Sequence, residues 1–126
     1  MNRIPFTALA LLLFVGLPTG ARAAARTWDG SVSSDWFDAD NWDPAGVPAA
    51  GDDVTIGSGT ALLSADTPAL ASLSLSGTLV FTNWNTTLSA TNVVIGKDGV
   101  MTCAGPFTDT QMSNNVVVVC SNLTVE

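Results

Sequence analysis

The sequence contains no histidine and no tyrosine. Without histidine, neither a Ser-His-Asp nor a Cys-His catalytic site can be assembled within this chain. Two cysteines, Cys103 and Cys120, cannot fill the four positions of the usual zinc site. Lysine and arginine together number four against eleven acidic residues, a formal net charge of −7. A surface this acidic repels phosphate backbones and anionic bilayers, so neither nucleic acid nor a membrane surface is an expected partner. Glu, Gln, Lys and Arg, the residues that fill helix surfaces, are almost missing after residue 23. No stretch there carries apolar residues at i, i+3, i+4 and i+7 with charged flanks, so helices are not expected. What is abundant is Thr, Ser, Asn, Val, Leu and Gly. Thr and Val suit a pleated, half-buried surface, and the expectation is an all-β chain of one domain.

The first 23 residues stand apart. Met1-Asn2-Arg3 is a short basic start, Ile4 to Leu17 is an apolar run, and Ala21-Arg22-Ala23 has the small-x-small form of a cleavage site. These are the three parts of a secretory signal peptide. A bilayer span takes about 20 residues, whereas this run is short and is interrupted by Pro5, Gly16 and Pro18. Cleavage after Ala23 is expected, with export and no stable membrane insertion afterwards. Arg26 and Lys97 are then the only cations facing eleven carboxylates. Export also permits, without demanding, a bridge between Cys103 and Cys120. Cys103 reads more simply as a small buried side chain.

Residues 24–51 hold Trp28, Trp36 and Trp42, with Asp29-Gly30, Asp43-Pro44 and Gly51-Asp52 as turn signals. Ala24 to Thr27 reads as a linker into this stretch. From Asp52 to residue 126 a repeat takes over. Val54-Thr-Ile56, Leu73-Ser-Leu75, Val93-Val-Ile95 and Leu123-Thr-Val125 share an apolar-x-apolar form, with second apolar positions at 56, 75, 95 and 125. A second strand follows each of the first three, opening on Gly59, Gly77 and Gly99, with Ala61 and Leu63, Leu79 and Phe81, and Met101 and Cys103 on the inward side. The glycines are expected to supply a left-handed corner. A coil of about twenty residues with short strands and tight corners is the pattern of a parallel β-helix. About four coils are expected, with residues 24–51 as a Trp-rich cap over the first, because a solenoid end needs covering. The longer last interval places an inserted loop at Pro106 to Asn115. The competing architecture is an antiparallel β-sandwich.

Candidate chemistry is sparse. Asp35, Asp38, Asp40, Asp43, Asp52 and Asp53 supply carboxylates for a glycosidase pair, but aspartates beside Gly, Asn and Pro are usually turn formers. Asp38, Asp40 and Asp43 are weak calcium candidates, since Asp38-Ala-Asp-Asn-Trp-Asp43 resembles the start of an EF-hand loop. That loop's sixth-position Gly and twelfth-position Glu are missing. No catalytic residue, cofactor or metal is therefore expected. Trp84, flanked by Asn83 and Asn85 at a corner, is the best candidate for contact with a ligand such as a sugar ring. Asn85-Thr-Thr87 and Asn122-Leu-Thr124 match the N-glycosylation pattern, which matters only in a eukaryotic host.

Taken in order, Trp28-Asp-Gly30, Asp40-Asn-Trp42, Val47-Pro48 and Gly51-Asp-Asp-Val-Thr-Ile56 resemble the opening of large secreted bacterial β-helix surface proteins, including autotransporter passenger domains. The resemblance covers about Trp28 to Leu79, and the rest by repeat style. It implies a right-handed parallel β-helix, export and a surface role, and it brings no catalytic residues. Such proteins usually run for many more coils, and autotransporters end in a membrane barrel. The chain is accordingly expected to be a segment of a longer protein, with further coils as its partner. The expected role is a secreted or cell-surface structural or adhesive segment that contacts an extracellular glycan or surface protein. The alternative is a carbohydrate-binding module or the start of a polysaccharide-degrading β-helix protein.

Overall fold

The computed structural model describes residues 22–105, 108–111 and 114–126. The signal segment lies outside these apart from Arg22 and Ala23, as do four residues of the expected 106–115 loop. Ten strands follow in order: β1 (Ala25–Trp28), β2 (Trp42–Asp43), β3 (Asp53–Ile56), β4 (Thr60–Leu63), β5 (Leu70–Leu75), β6 (Thr78–Phe81), β7 (Thr86–Ile95), β8 (Val100–Cys103), β9 (Val116–Val119) and β10 (Asn122–Val125). The only helical pieces described are short 3₁₀ turns at Ala39–Asn41 and Asp109–Gln111. The chain is all-β.

Two sheets organise the strands. One runs β10-β7-β5-β3-β1-β2, with β9 also on β7; the other runs β4-β6-β8. Neither closes on itself. Every strand pair is parallel except β1–β2. The register follows the apolar-x-apolar repeat. Val54 pairs with Leu73, Leu73 with Val93 and Val93 with Leu123; Ile56, Leu75, Ile95 and Val125 follow in the next row. In the second sheet Ala61, Leu79 and Met101 align, as do Leu63, Phe81 and Cys103. A one-residue slip would turn each row to the opposite face, so burial of these rows fixes the register. The rows of both sheets meet in a single apolar core with Trp28, Trp36 and Trp42.

Burial fades along the stack. Val54, Ile56, Leu73 and Leu75 are buried, Ile95, Met101 and Cys103 are half-buried, and Leu123 and Val125 are exposed at 56 % and 68 %. These last two side chains occupy the inward register but have no further strand packed on them among the described residues.

Three local expectations change. Ala25–Trp28 is a strand, not a linker: it pairs in parallel with β3 and antiparallel with β2. Nothing in its own sequence demands extension, and the β3 edge templates it. Second, Asp35 bridges Leu62 in parallel, so the Trp-rich stretch also lies along β4. It therefore contributes to the first layer of strands, a part that the expected cap did not include. Third, of the three corner glycines only Gly59 is left-handed, with φ 75°. Gly77 is needed for space instead, since a Cβ there would lie 2.8 Å from the Gly59 carbonyl oxygen. At Gly99 the obstruction is the Leu75 carbonyl oxygen. Successive corners stack backbone on backbone, and the side chain is excluded by the layer below.

Candidate functional site

The Trp84 corner joins β6 to β7. It is built by continuing the ladder beyond the strands: the Thr82 amide and hydroxyl both donate to the Leu63 carbonyl, at 2.9 and 3.2 Å. Asn83 Nδ2 donates to the Ser64 carbonyl at 2.6 Å, so this amide is engaged in holding one corner on another. Asn85 takes a left-handed φ of 59°, a conformation in which asparagine is enriched. Its amide donates to the Asn115 carbonyl at 2.6 Å. Trp84 itself is half-buried, between exposed Asn83 and Asn85. The three residues are neighbours at one corner.

The aspartates are distributed rather than gathered. Asp35 Oδ1 accepts from the Phe37 amide at 2.9 Å, an Asx turn. Asp38 caps the first 3₁₀ turn, accepting from the Asp40 amide at 3.1 Å, and its other oxygen accepts from Ser33 Oγ at 3.3 Å. Asp53 accepts from Ser72 Oγ on the neighbouring strand. Asp40 and Asp43 are exposed, Asp43 on the two-residue strand β2. Among the described residues no group of three His, Cys, Asp or Glu side chains is placed to hold a metal ion. Cys103 and Cys120 are both free and half-buried.

Two polar centres have structural weight that the sequence did not reveal. Asn41, in the Asn-Trp motif, is completely buried and fully bonded. Its Oδ1 accepts from the Val32 and Ser33 amides at 3.0 and 2.8 Å, and its Nδ2 donates to Ser33 Oγ and the Asp35 carbonyl at 2.8 and 3.0 Å. It thus closes the 32–41 loop. Beneath it Trp42 packs edge-on against Trp28 and Trp36, at centroid distances of 5.0 and 4.9 Å, and donates Nε1 to the Trp36 carbonyl at 2.8 Å.

Asp52 is the second. Its carboxylate is buried and accepts from the Ala24 amide and the Ala49 amide, each at 2.9 Å, with Arg26 Nε at 3.5 Å. Burial pushes its pKa up, but the Ala49 and Ala24 amides and the Arg26 charge outweigh that and hold it below 3.8. Arg26 in turn donates to the Pro44 and Ala45 carbonyls. The pair therefore clamps β1, the 44–51 loop and the start of β3 together. Both centres lie in motifs the sequence singled out, Asp-Asn-Trp and Gly-Asp-Asp, but a motif gives no sign that its polar residue is buried.

Set against known families, residues 41–122 match the G8 domain, more than half of the chain. The chain belongs to the G8 domain family. The G8 match begins at Asn41, so it takes in Trp42 and strands β2 to β9 but leaves β1, Trp28 and Trp36 ahead of it. It does not name an autotransporter passenger. Neither a curated protein nor a solved structure matches the chain.

Proposed function

We propose that this G8-domain chain is an exported structural or adhesive segment that acts by display and carries out no catalysis. In this reading the strands form a right-handed parallel β-helix of about four coils, covered at one end by the tryptophans. Its surface role matches that of the secreted β-helix proteins its opening motifs resemble. Further coils of the same protein, an extracellular glycan or a surface protein are its partners, and it needs no metal.

The observation that carries the reading is how the carboxylates are used. Asp35, Asp38, Asp52 and Asp53 bond to turns, a cap, a clamp and a neighbouring strand, so four of the six candidate carboxylates are engaged in holding the fold. The parallel register of β3, β5, β7 and β10 supports the helical stack. The deciding experiment is tryptophan fluorescence against a panel of extracellular polysaccharides and oligosaccharides. The expected result is no saturable change.

One observation favours the sugar-binding alternative: Trp84 is half-buried, at a corner between two exposed asparagines. Saturable quenching that disappears in Trp84→Ala would establish that alternative.

A further inference from the structure

The Ala24 amide nitrogen sits 2.9 Å from Asp52 Oδ1. Ala24 is also the residue that follows the Ala21-Arg22-Ala23 cleavage signature. We propose that processing between Ala23 and Ala24 creates an α-ammonium group that Asp52 binds, so that removal of the leader adds an ion pair to the clamp. The inference rests on the export reading above, but the geometry of Asp52 is independent of it.

Hydrolysis of the Ala23–Ala24 peptide bond consumes one water. It leaves a carboxylate on Ala23 and an amine on Ala24, protonated at neutral pH. The amine occupies the position of the present amide donor, so no backbone rearrangement is needed. Ala24 is held from its other side as well, because the Asp53 amide donates to the Ala24 carbonyl at 2.9 Å. The new charge meets a buried carboxylate that is only partly neutralised: Arg26 approaches through Nε at 3.5 Å and sends its Nη1 to the Pro44 and Ala45 carbonyls. The charged groups facing the new terminus are Asp52 and Arg26. Asp53, opposite Ala25 in the ladder, is turned to Ser72. Exposure at Ala23 and partial exposure at Ala24 leave the bond accessible to a peptidase. A cut one or more residues earlier would leave a neutral amide at Ala24 and a free amine away from Asp52.

The processed chain would contain only two amines, the α-amine and Lys97, which is exposed. The test begins with the full chain expressed in an exporting host, followed by mass measurement of the recovered protein. Both amines are then ¹³C-methylated reductively and titrated by NMR. The expected mass begins at Ala24. The α-amine should titrate above its ordinary value near 8. In Asp52→Asn the α-amine value should return toward the ordinary range. Should that variant fail to fold, the titration of the unaltered protein decides alone. A chain cut at Ala24 whose α-amine titrates at or below its ordinary value overturns the ion pair. A cut at another bond overturns the assignment of the processing site. Recovery of an uncleaved chain overturns both the export reading and this one, and is distinguished from the other failures by mass alone.

Discussion

Asn41 illustrates how one buried amide replaces several backbone contacts. Four hydrogen bonds converge on it at zero exposure. Truncation to Ala leaves the Val32 and Ser33 amides without their acceptor. Val32 and Ser33 are themselves exposed, so water can reach their amides in part, and Asn41→Ala should lower stability by about 1–3 kcal/mol in a urea titration. A loss below about 1 kcal/mol would mean that water substitutes freely. Asp52 gives a prediction in pH. Its folded pKa is below its ordinary value, so its contribution is fully present above about 4. It is lost as pH falls through the depressed value, because the folded form must then take up a proton it resists. Acid titration of stability should therefore show a decline below about pH 4 that flattens in Asp52→Asn; an identical slope in both proteins would remove Asp52 as its cause. For the calcium candidates, Asp38 is already a cap. Excess EDTA is expected to leave the melting temperature unchanged, and a drop on chelation would revive a metal site.

At the scale of strands, the repeat was legible because side-chain alternation makes a two-residue spacing meaningful. Leu73 and Leu75 could be aligned with Val93 and Ile95 from their apolar-x-apolar form alone, and the pairing matches that alignment. Other features were not legible for a physical reason. β1 is extended because β3 offers it an edge, and a tertiary template leaves no local signature. Gly77 announced a corner, but whether it served φ or clearance depended on the Gly59 carbonyl beneath it. The 41-centred network was hidden because polarity in sequence does not report burial. The difference between ends of the stack sets an element-scale prediction. Leu73→Ala, at zero exposure, should cost about 2–5 kcal/mol. Leu123→Ala, on the same register but 56 % exposed, should fall within about 0.5 kcal/mol of the unaltered chain. Equal costs in chemical denaturation would show that β10 is covered in solution. Gly77→Ala should be destabilising as well, since the colliding atoms are backbone and cannot swing aside.

For the whole molecule, the important asymmetry is between a tryptophan-packed end and an open one. Trp28, Trp36 and Trp42 join the inward rows of β3 and β4 in the core. At the other end an open cavity is lined by Phe81, Ile95, Met101, Thr102, Cys103, Val116 and Val118. Among the described residues β8 pairs only with β6, and β10 only with β7. When each layer touches mainly its neighbours, stability is close to a sum of layer and interface terms. The layers then need not open together, and local opening free energies differ along the stack. Native-state hydrogen exchange should therefore be graded. The ladder amides of β3 and β5, sandwiched between layers, should exchange slowest, and those of β9 and β10 fastest among the strands. Substitution at Asn41 should accelerate exchange first in β1 and the 32–41 loop, leaving β7 less affected. Uniform protection from β3 to β10, lost together in Asn41→Ala, would instead mark a single cooperative core and contradict the layered account. The inward rows supply the connection between layers, so the steepness of the gradient measures how strongly one layer of strands holds the next.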